Sequence, residues 1–364
     1  MHCVHRPRRL PETLRADYDV SAMNRALFCH AAPREAPRAL AEGAALAARV
    51  ADVDAPPVAL YGAVLTGAGI ALGAHQRAAQ AVHLSRARET GVSVVRRASG
   101  GPTMRAGDGV VYLALGLRTA STLLECPRDR VLNRNVRGLL AGLSAGGVAA
   151  HYFGREFVSL ARRPAVGCHW TRDAAGHVLL EFFLGVSASH LPDDALVAYP
   201  SRVEPALNGK APITFAEAYA STDRGIAPDG EALLQLALVR GYAQQYQLEL
   251  ESVAAPGVTP RIDLATRHDE DDDALRWSQP HEVPIGFVSA GLAVRDGVIR
   301  DARLAGDFFA DADGVARLRS ALVDHAPSPE ALVAAINATY GPRGVVIEGL
   351  RSLAPVLSAF LELS

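Results

Sequence analysis

Arg96, Arg97, Ser99, Gly100 and Gly101 fall in one run of six residues, Arg-Arg-Ala-Ser-Gly-Gly. Adjacent glycines can turn backbone N–H groups toward an anion, and neighbouring arginines can pair with phosphate. The plain alternative is a turn between two strands. A second grouping is Cys168 with His169 and His177. A thiolate beside an imidazole is a nucleophile. Residues 168 and 169 of a strand point to opposite faces, so His177, across a turn, is the better base. The plain alternative is a buried cysteine acting as a small hydrophobe. Met104 and Tyr112 read most simply as packing residues.

Composition limits the chemistry further. Lys+Arg 37 against Asp+Glu 39 gives a net charge of −2, which disfavours a protein built to grip nucleic acid. Lys210 is the sole lysine, in an Asn-Gly-Lys-Ala-Pro turn where a solvated side chain is expected, so lysine chemistry must use Lys210 or be absent. The four cysteines (Cys3, Cys29, Cys126, Cys168) form no CxxC pair, which argues against a disulfide framework or structural zinc and for a reducing cytoplasm. The first 23 residues are basic without an apolar stretch and read as a loose arm rather than a signal peptide, with Met23 a second candidate start. Ala55–Gln76 carries no charged residue, but two prolines and four glycines make two buried strands a better reading than a membrane span. The acidic run 268–273 lacks calcium-loop spacing and reads as a solvated loop, so no metal site is expected.

The elements that must position these groups follow from pattern. Residues 24–52 read as helical, Val58–Gly62 and Ile70–Gly73 as strands turning at Thr66-Gly67, and residues 76–90 as a helix closed by Gly91. Residues 92–96 and 110–117 are β-branched or apolar strands on either side of the glycine loop, and 128–143 reads as a helix. Four strands follow, the last two joined by a turn near Asp173–Gly176, and then a long amphipathic helix over 231–246. A linker at 253–274 precedes a smaller α+β region. It has a hairpin at Arg295-Asp296-Gly297, helices near 313–324 and 328–338, and a helical C-terminus.

The order of motifs resembles the lipoate–protein ligase family of the lipoate/biotin ligase superfamily. Gly73-Ala74-His75-Gln76, a helix and then the Arg-Arg-Ala-Ser-Gly-Gly loop match its GxHQ and RRxSGGG elements. Gly154-Arg155, Gly167, Ser201-Arg202-Val203 with Leu207, Ile213–Tyr219 and Val294–Phe309 match later elements in order. The resemblance implies an α/β fold: a mixed-sheet ligase core over 24–252 and a small C-terminal accessory domain over 275–364. It implies ATP and lipoate or octanoate as ligands, with Mg2+, and a lysine of a lipoyl-carrier domain as acceptor of the acyl-adenylate. His75, Gln76, Arg96, Arg97, Ser99, Gly100 and Gly101 would then line one pocket, with Arg97 on phosphate. Nothing like a helix-turn-helix precedes the core, so no DNA-binding role is implied.

The chain departs from that pattern at instructive places. Pro102 replaces the third glycine, and Ala106-Gly107 stand where the family has His-Asp. The family lysine, three residues before the glycine, falls at Pro164; the neighbouring Arg163 is the candidate cation, ahead of Arg162 and Arg155. Related octanoyltransferases use a cysteine thioester, which makes Cys168 a candidate nucleophile. Loss of the lysine also leaves open a non-catalytic module that binds an acyl or adenylate ligand, or a protein partner.

Overall fold

A computed structural model describes residues 24–154, 156–198, 211–222, 227–265, 274–341 and 344–364. The N-terminal arm, Arg155, Ser201-Arg202-Val203 with Leu207, Lys210 and the acidic run lie outside the described residues.

Twelve strands belong to the larger body: β1 Arg25–His30, β2 Arg34–Glu35, β3 Val58–Thr66, β4 Gly69–Leu72, β5 Ser93–Arg96, β6 Met104–Arg105, β7 Val110–Leu117, β8 Ala150–Tyr152, β9 Phe157–Leu160, β10 Arg163–Arg172, β11 Val178–Gly185 and β12 Glu249–Ser252. The main sheet runs β12-β1-β3-β7-β11-β10-β9-β8, with β2 beside β3. β1 is parallel to both neighbours and the rest of that path is antiparallel, so the sheet is mixed. Both faces are covered, which is why β7 is buried at every residue. Val111, Leu113 and Leu115 face helix Val131–Ala145 and the helical run 230–246; Val110, Tyr112 and Ala114 face helix Ala36–Ala48. A separate small sheet, β5-β4-β6, carries the glycine loop between two of its strands.

Long-range pairing overrides local propensity in several places. Residues 25–30 form a strand rather than the start of a helix, because they pair with both β3 and β12. β3 and β4 do not form a hairpin; they enter different sheets. The expected helix over 76–90 is two short ones, Ala78–Ala81 and Leu84–Glu89, broken where Val82 bridges Val197. The run 230–246 is helical throughout but takes a π-helical path at Gln235–Ala243.

Four strands, β13 Arg276–Trp277, β14 His281–Val283, β15 Gly286–Arg295 and β16 Val298–Gly306, make an antiparallel sheet near the C-terminus. Asp296 and Gly297 both have positive φ in the β15–β16 turn, as the Asp-Gly pair requires. Helices Gly314–Leu322, Pro329–Tyr340 and Ala354–Leu361 share a core with this sheet that includes Val288, Leu304, Phe308, Ile336 and Phe360. A short pair, β17 Phe309–Ala310 with β18 Ile347–Glu348, lies against β10. Among the described residues no helix is long and apolar enough to cross a membrane.

Candidate functional site: a closed glycine loop

The loop after β5 and the turn after β4 meet back to back. Ala74 N–H donates to the Ser99 carbonyl at 2.8 Å, and Gly73 N–H donates to Gln76 Oε1 at 2.7 Å. A side chain at Gly73 would place its Cβ 2.1 Å from the Gly101 carbonyl oxygen, so glycine is what allows the approach. His75, Gln76, Arg97 and Ser99–Gly101 are thereby brought into one cluster, although not with the exposures expected of phosphate ligands.

Arg97 is 1% exposed and points inward. Its Nε donates to Ser99 Oγ (3.1 Å), Nη1 to the Ala71 carbonyl (2.9 Å), and Nη2 to the carbonyls of Gly100 (2.7 Å) and Pro102 (2.8 Å). The guanidinium therefore shapes the loop from beneath instead of presenting a fork to phosphate. Burial lowers its pKa to about 10, opposed by the nearby carboxylates Glu181 and Asp307, so it remains charged at neutral pH. Arg96 likewise spends Nη1 on the carbonyls of Gly73 and Gln76.

The glycine amides are also engaged. Gly100 N–H donates to the Trp170 carbonyl (3.2 Å) and Gly101 N–H to the Phe308 carbonyl (2.8 Å), while Ser99 N–H meets Glu181 Oε2 (2.8 Å). Glu181, fully buried in the middle of the apolar strand β11, also accepts from Tyr112 O–H at 2.6 Å. Residues 306–309 thus cap the loop. Phe308 stacks on His75 (ring centroids 4.7 Å apart, 4° between planes), and Gly306 N–H donates to the His75 carbonyl. Gln76 Nε2 donates to Asp307 Oδ1 at 2.5 Å and to Thr103 Oγ1 at 2.9 Å.

His169 is the residue sequence reasoning set aside. It shares the inner face of β10 with Gly167, and its Nδ1 lies 3.0 Å from Arg97 Nη2. Arginine can only donate, so Nδ1 accepts and the proton sits on Nε2, which has no hydrogen-bond partner among the described residues. Burial and the Arg97 charge hold its pKa well below the usual histidine value. His190 is buried nearby and pushed down to about 3 by desolvation. The available signal for Glu181 was an acid inside an apolar strand; His169 required the tertiary structure.

A bulge in β10 decides the question of Arg163. Its pairing with β9 shifts between Pro164 and Val166: Arg163 lies opposite Leu160, Pro164 opposite Ser159, and Gly167 opposite Phe157. Paired residues share a face, so Pro164 and Gly167 lie on one side despite their odd spacing, and Arg163 on the other. Arg163 instead donates to the carbonyls of Ala211 (2.8 Å) and Pro212 (2.6 Å). It ties down the segment before helix Phe215–Ala220, which its capping box at Thr214 and Glu217 starts, and it is not the site's cation.

Cys168 is not a nucleophile here either. It is fully buried on the helical side of β10 among Val166, Leu180 and Phe182, and burial drives the thiol pKa far up. His177 lies at the hairpin end, where its Nδ1 accepts from Thr119 N–H at 3.1 Å. The folded protein should leave Cys168 unmodified by iodoacetamide, as read by peptide mass spectrometry, with alkylation appearing only in urea. Native alkylation at the rate of the half-buried Cys126 would contradict this placement.

The cap carries its own pH signature. Desolvation raises Asp307 to about 6 and lowers His75 to about 4. A histidine depressed on folding supplies stability above its unfolded pKa of about 6.5, lost as pH falls toward 4. An aspartate raised on folding works the other way: its contribution is present below its unfolded value and lost as pH rises through 6. The two oppose each other in one window. Asp307→Asn should therefore steepen the loss of stability on acidification from pH 6.5 to 4, measured as urea midpoints; an unchanged slope would contradict it.

Beyond Phe309 lies a cleft of about 490 Å³, lined among others by Asp129, Gly154, Glu156 and Glu348. Trp170 Nε1 donates to Glu348 Oε2 at 3.0 Å, and burial raises Glu348 to about 7. Among the described residues no group of three or more His, Cys, Asp or Glu could hold a metal ion.

The lipoate complex of LipL1 from P. falciparum matches 92% of this chain and 99% of its own, with a TM-score of 0.64 at 15% identity. The chain has the lipoate–protein ligase fold. A bipartite lipoate protein ligase from Thermoplasma acidophilum, studied with its E2 lipoyl domain, matches 64% of this chain and 88% of its own, with a TM-score of 0.51 at 14% identity. No protein-family model and no curated protein sequence matches.

Proposed function

We propose that this protein binds lipoate or octanoate, activates it with ATP, and passes the acyl group to a lysine of a lipoyl-type carrier domain. The observation that carries this reading is the match along nearly the whole chain to a lipoate-bound protein. The Thermoplasma ligase and its E2 lipoyl domain support the choice of carrier. In this reading residues 24–252 are the catalytic body, 275–364 the accessory body, and the protein works in the cytoplasm. Mg2+ arrives on the nucleotide phosphates, since it commonly binds through substrate phosphates and few protein ligands.

The closed loop sets the order of events. Gly101 N–H can face an α-phosphoryl group only after the Phe308 carbonyl withdraws, so residues 306–309 leave the loop before the nucleotide seats. Arg97 then holds the loop's shape, and free backbone donors stabilise the charge that grows as pyrophosphate departs. Incubation with ATP, lipoate or octanoate and a lipoyl domain should add one acyl mass to the carrier lysine.

One observation favours a second reading, a non-catalytic acyl-binding module: among the described residues of β10, no cation stands on the loop side near position 164. Acid binding by calorimetry without any carrier modification would support it instead.

A further inference from the structure

The small sheet that carries the glycine loop has a cavity at the end opposite that loop. The loop and the His75 turn follow the C-terminal ends of β5 and β4. The cavity lies at the start of β4, against Gly69 and Ile70, and has a volume of about 260 Å³. At about 30 Å³ per water, that is room for a molecule of several heavy atoms.

Its walls are of two kinds. Ile70, Val92, Pro192 and Leu196 supply apolar surface, while Arg86 and Arg105 supply two guanidiniums. Arg105 is half-buried on β6, held in place by pairing with Ile70 and by its N–H to the His190 carbonyl at 2.9 Å. Arg86 is on helix Leu84–Glu89, one turn before Thr90, whose hydroxyl donates to the Arg86 carbonyl. Neither guanidinium has a hydrogen-bond or ion-pair partner among the described residues. The acid in the lining, Asp193, uses Oδ1 to accept Ala195 N–H at 2.8 Å and forms no ion pair with either arginine.

We propose that this cavity is a binding site for a small organic anion, a carboxylate or phosphate group on a short apolar body. The two arginines take the oxyanion and the Ile70–Leu196 wall takes the body. Unpaired guanidiniums beside an apolar wall select this chemistry, because planar donors match carboxylate and phosphate oxygens. A bare inorganic ion would leave the apolar wall unused. The site is separate from the loop and does not depend on the ligase reading.

The test is calorimetry with hexanoate, propyl phosphate and inorganic phosphate at constant ionic strength, on the wild type, Arg86→Gln, Arg105→Gln and, as a control, Arg49→Gln. The wild type should bind hexanoate or propyl phosphate at least tenfold more tightly than inorganic phosphate, and whichever organic anion is tighter identifies the oxyanion. Arg86→Gln and Arg105→Gln should each weaken binding about tenfold, the loss of one charge-assisted contact. Arg86 is exposed, so its variant remains informative even where Arg105→Gln fails to fold. No binding of either organic anion, or binding indifferent to Arg86→Gln, overturns the proposal; the second outcome assigns the bound acid to the loop instead.

Discussion

Arg97→Ala is expected to destabilise the protein by about 3–5 kcal/mol, the usual cost of removing one partner from a buried charged network. The guanidinium satisfies the carbonyls of Ala71, Gly100 and Pro102 together with Ser99 Oγ, and its charge faces the buried Glu181. Alanine would leave those acceptors without donors and that carboxylate without its counter-charge. Arg97→Lys should recover only part of the loss, because an ammonium cannot span four acceptors that a planar fork reaches. Urea unfolding of the three proteins measures this. A variant as stable as the wild type but unable to bind nucleotide would instead return Arg97 to the phosphate-contact role that the sequence suggested.

Pro164→Lys is expected to raise acid-dependent pyrophosphate exchange by two to three decades. The bulge between Pro164 and Val166 puts position 164 on the same face as Gly167 and His169, toward the loop. A lysine there would place a compact charge where negative charge grows as pyrophosphate leaves; such a donor is commonly worth about 2.7–4 kcal/mol. The backbone tolerates the exchange, since the Pro164 carbonyl keeps its bond from Ile213 N–H whatever the side chain. Arg163→Ala should leave exchange unchanged and loosen the segment at 211–212, because that side chain lies on the other face. A loss of exchange in Arg163→Ala would reverse the assignment of faces.

Legibility in the sequence followed the range of the interactions. Strands with β-branched or alternating apolar residues and the Asp296-Gly297 turn depend on local patterning, and the mixed α/β fold was legible through the family resemblance that the order of loop motifs carries. Ala26–Cys29 could not, because a short apolar run fits helix or strand until its partners on β3 and β12 are known. The site was legible as a grouping and not as geometry. Gly73 and Ser99–Gly101 do meet, but Arg97 turns inward, its guanidinium held by the Gly100 and Pro102 carbonyls of its own loop and the Ala71 carbonyl of β4. Arg163 could serve as the cation only if a local slip carried it to the face of position 164; β10 does bulge beside it, which no sequence pattern shows, but the bulge leaves Arg163 on the face opposite Pro164 and Gly167. The cap of Gly306–Phe309 joins segments about 200 residues apart, and no local pattern announces it.

The most direct test is ATP–pyrophosphate exchange by the wild-type protein with lipoate, octanoate, biotin or no acid supplied. Exchange that requires lipoate or octanoate and exceeds the no-acid and biotin controls is the predicted result, and Pro164→Lys should increase it. No exchange with any acid, in the wild type and in a folded Pro164→Lys alike, would contradict the acyl-activating function and leave an acyl-binding module in its place.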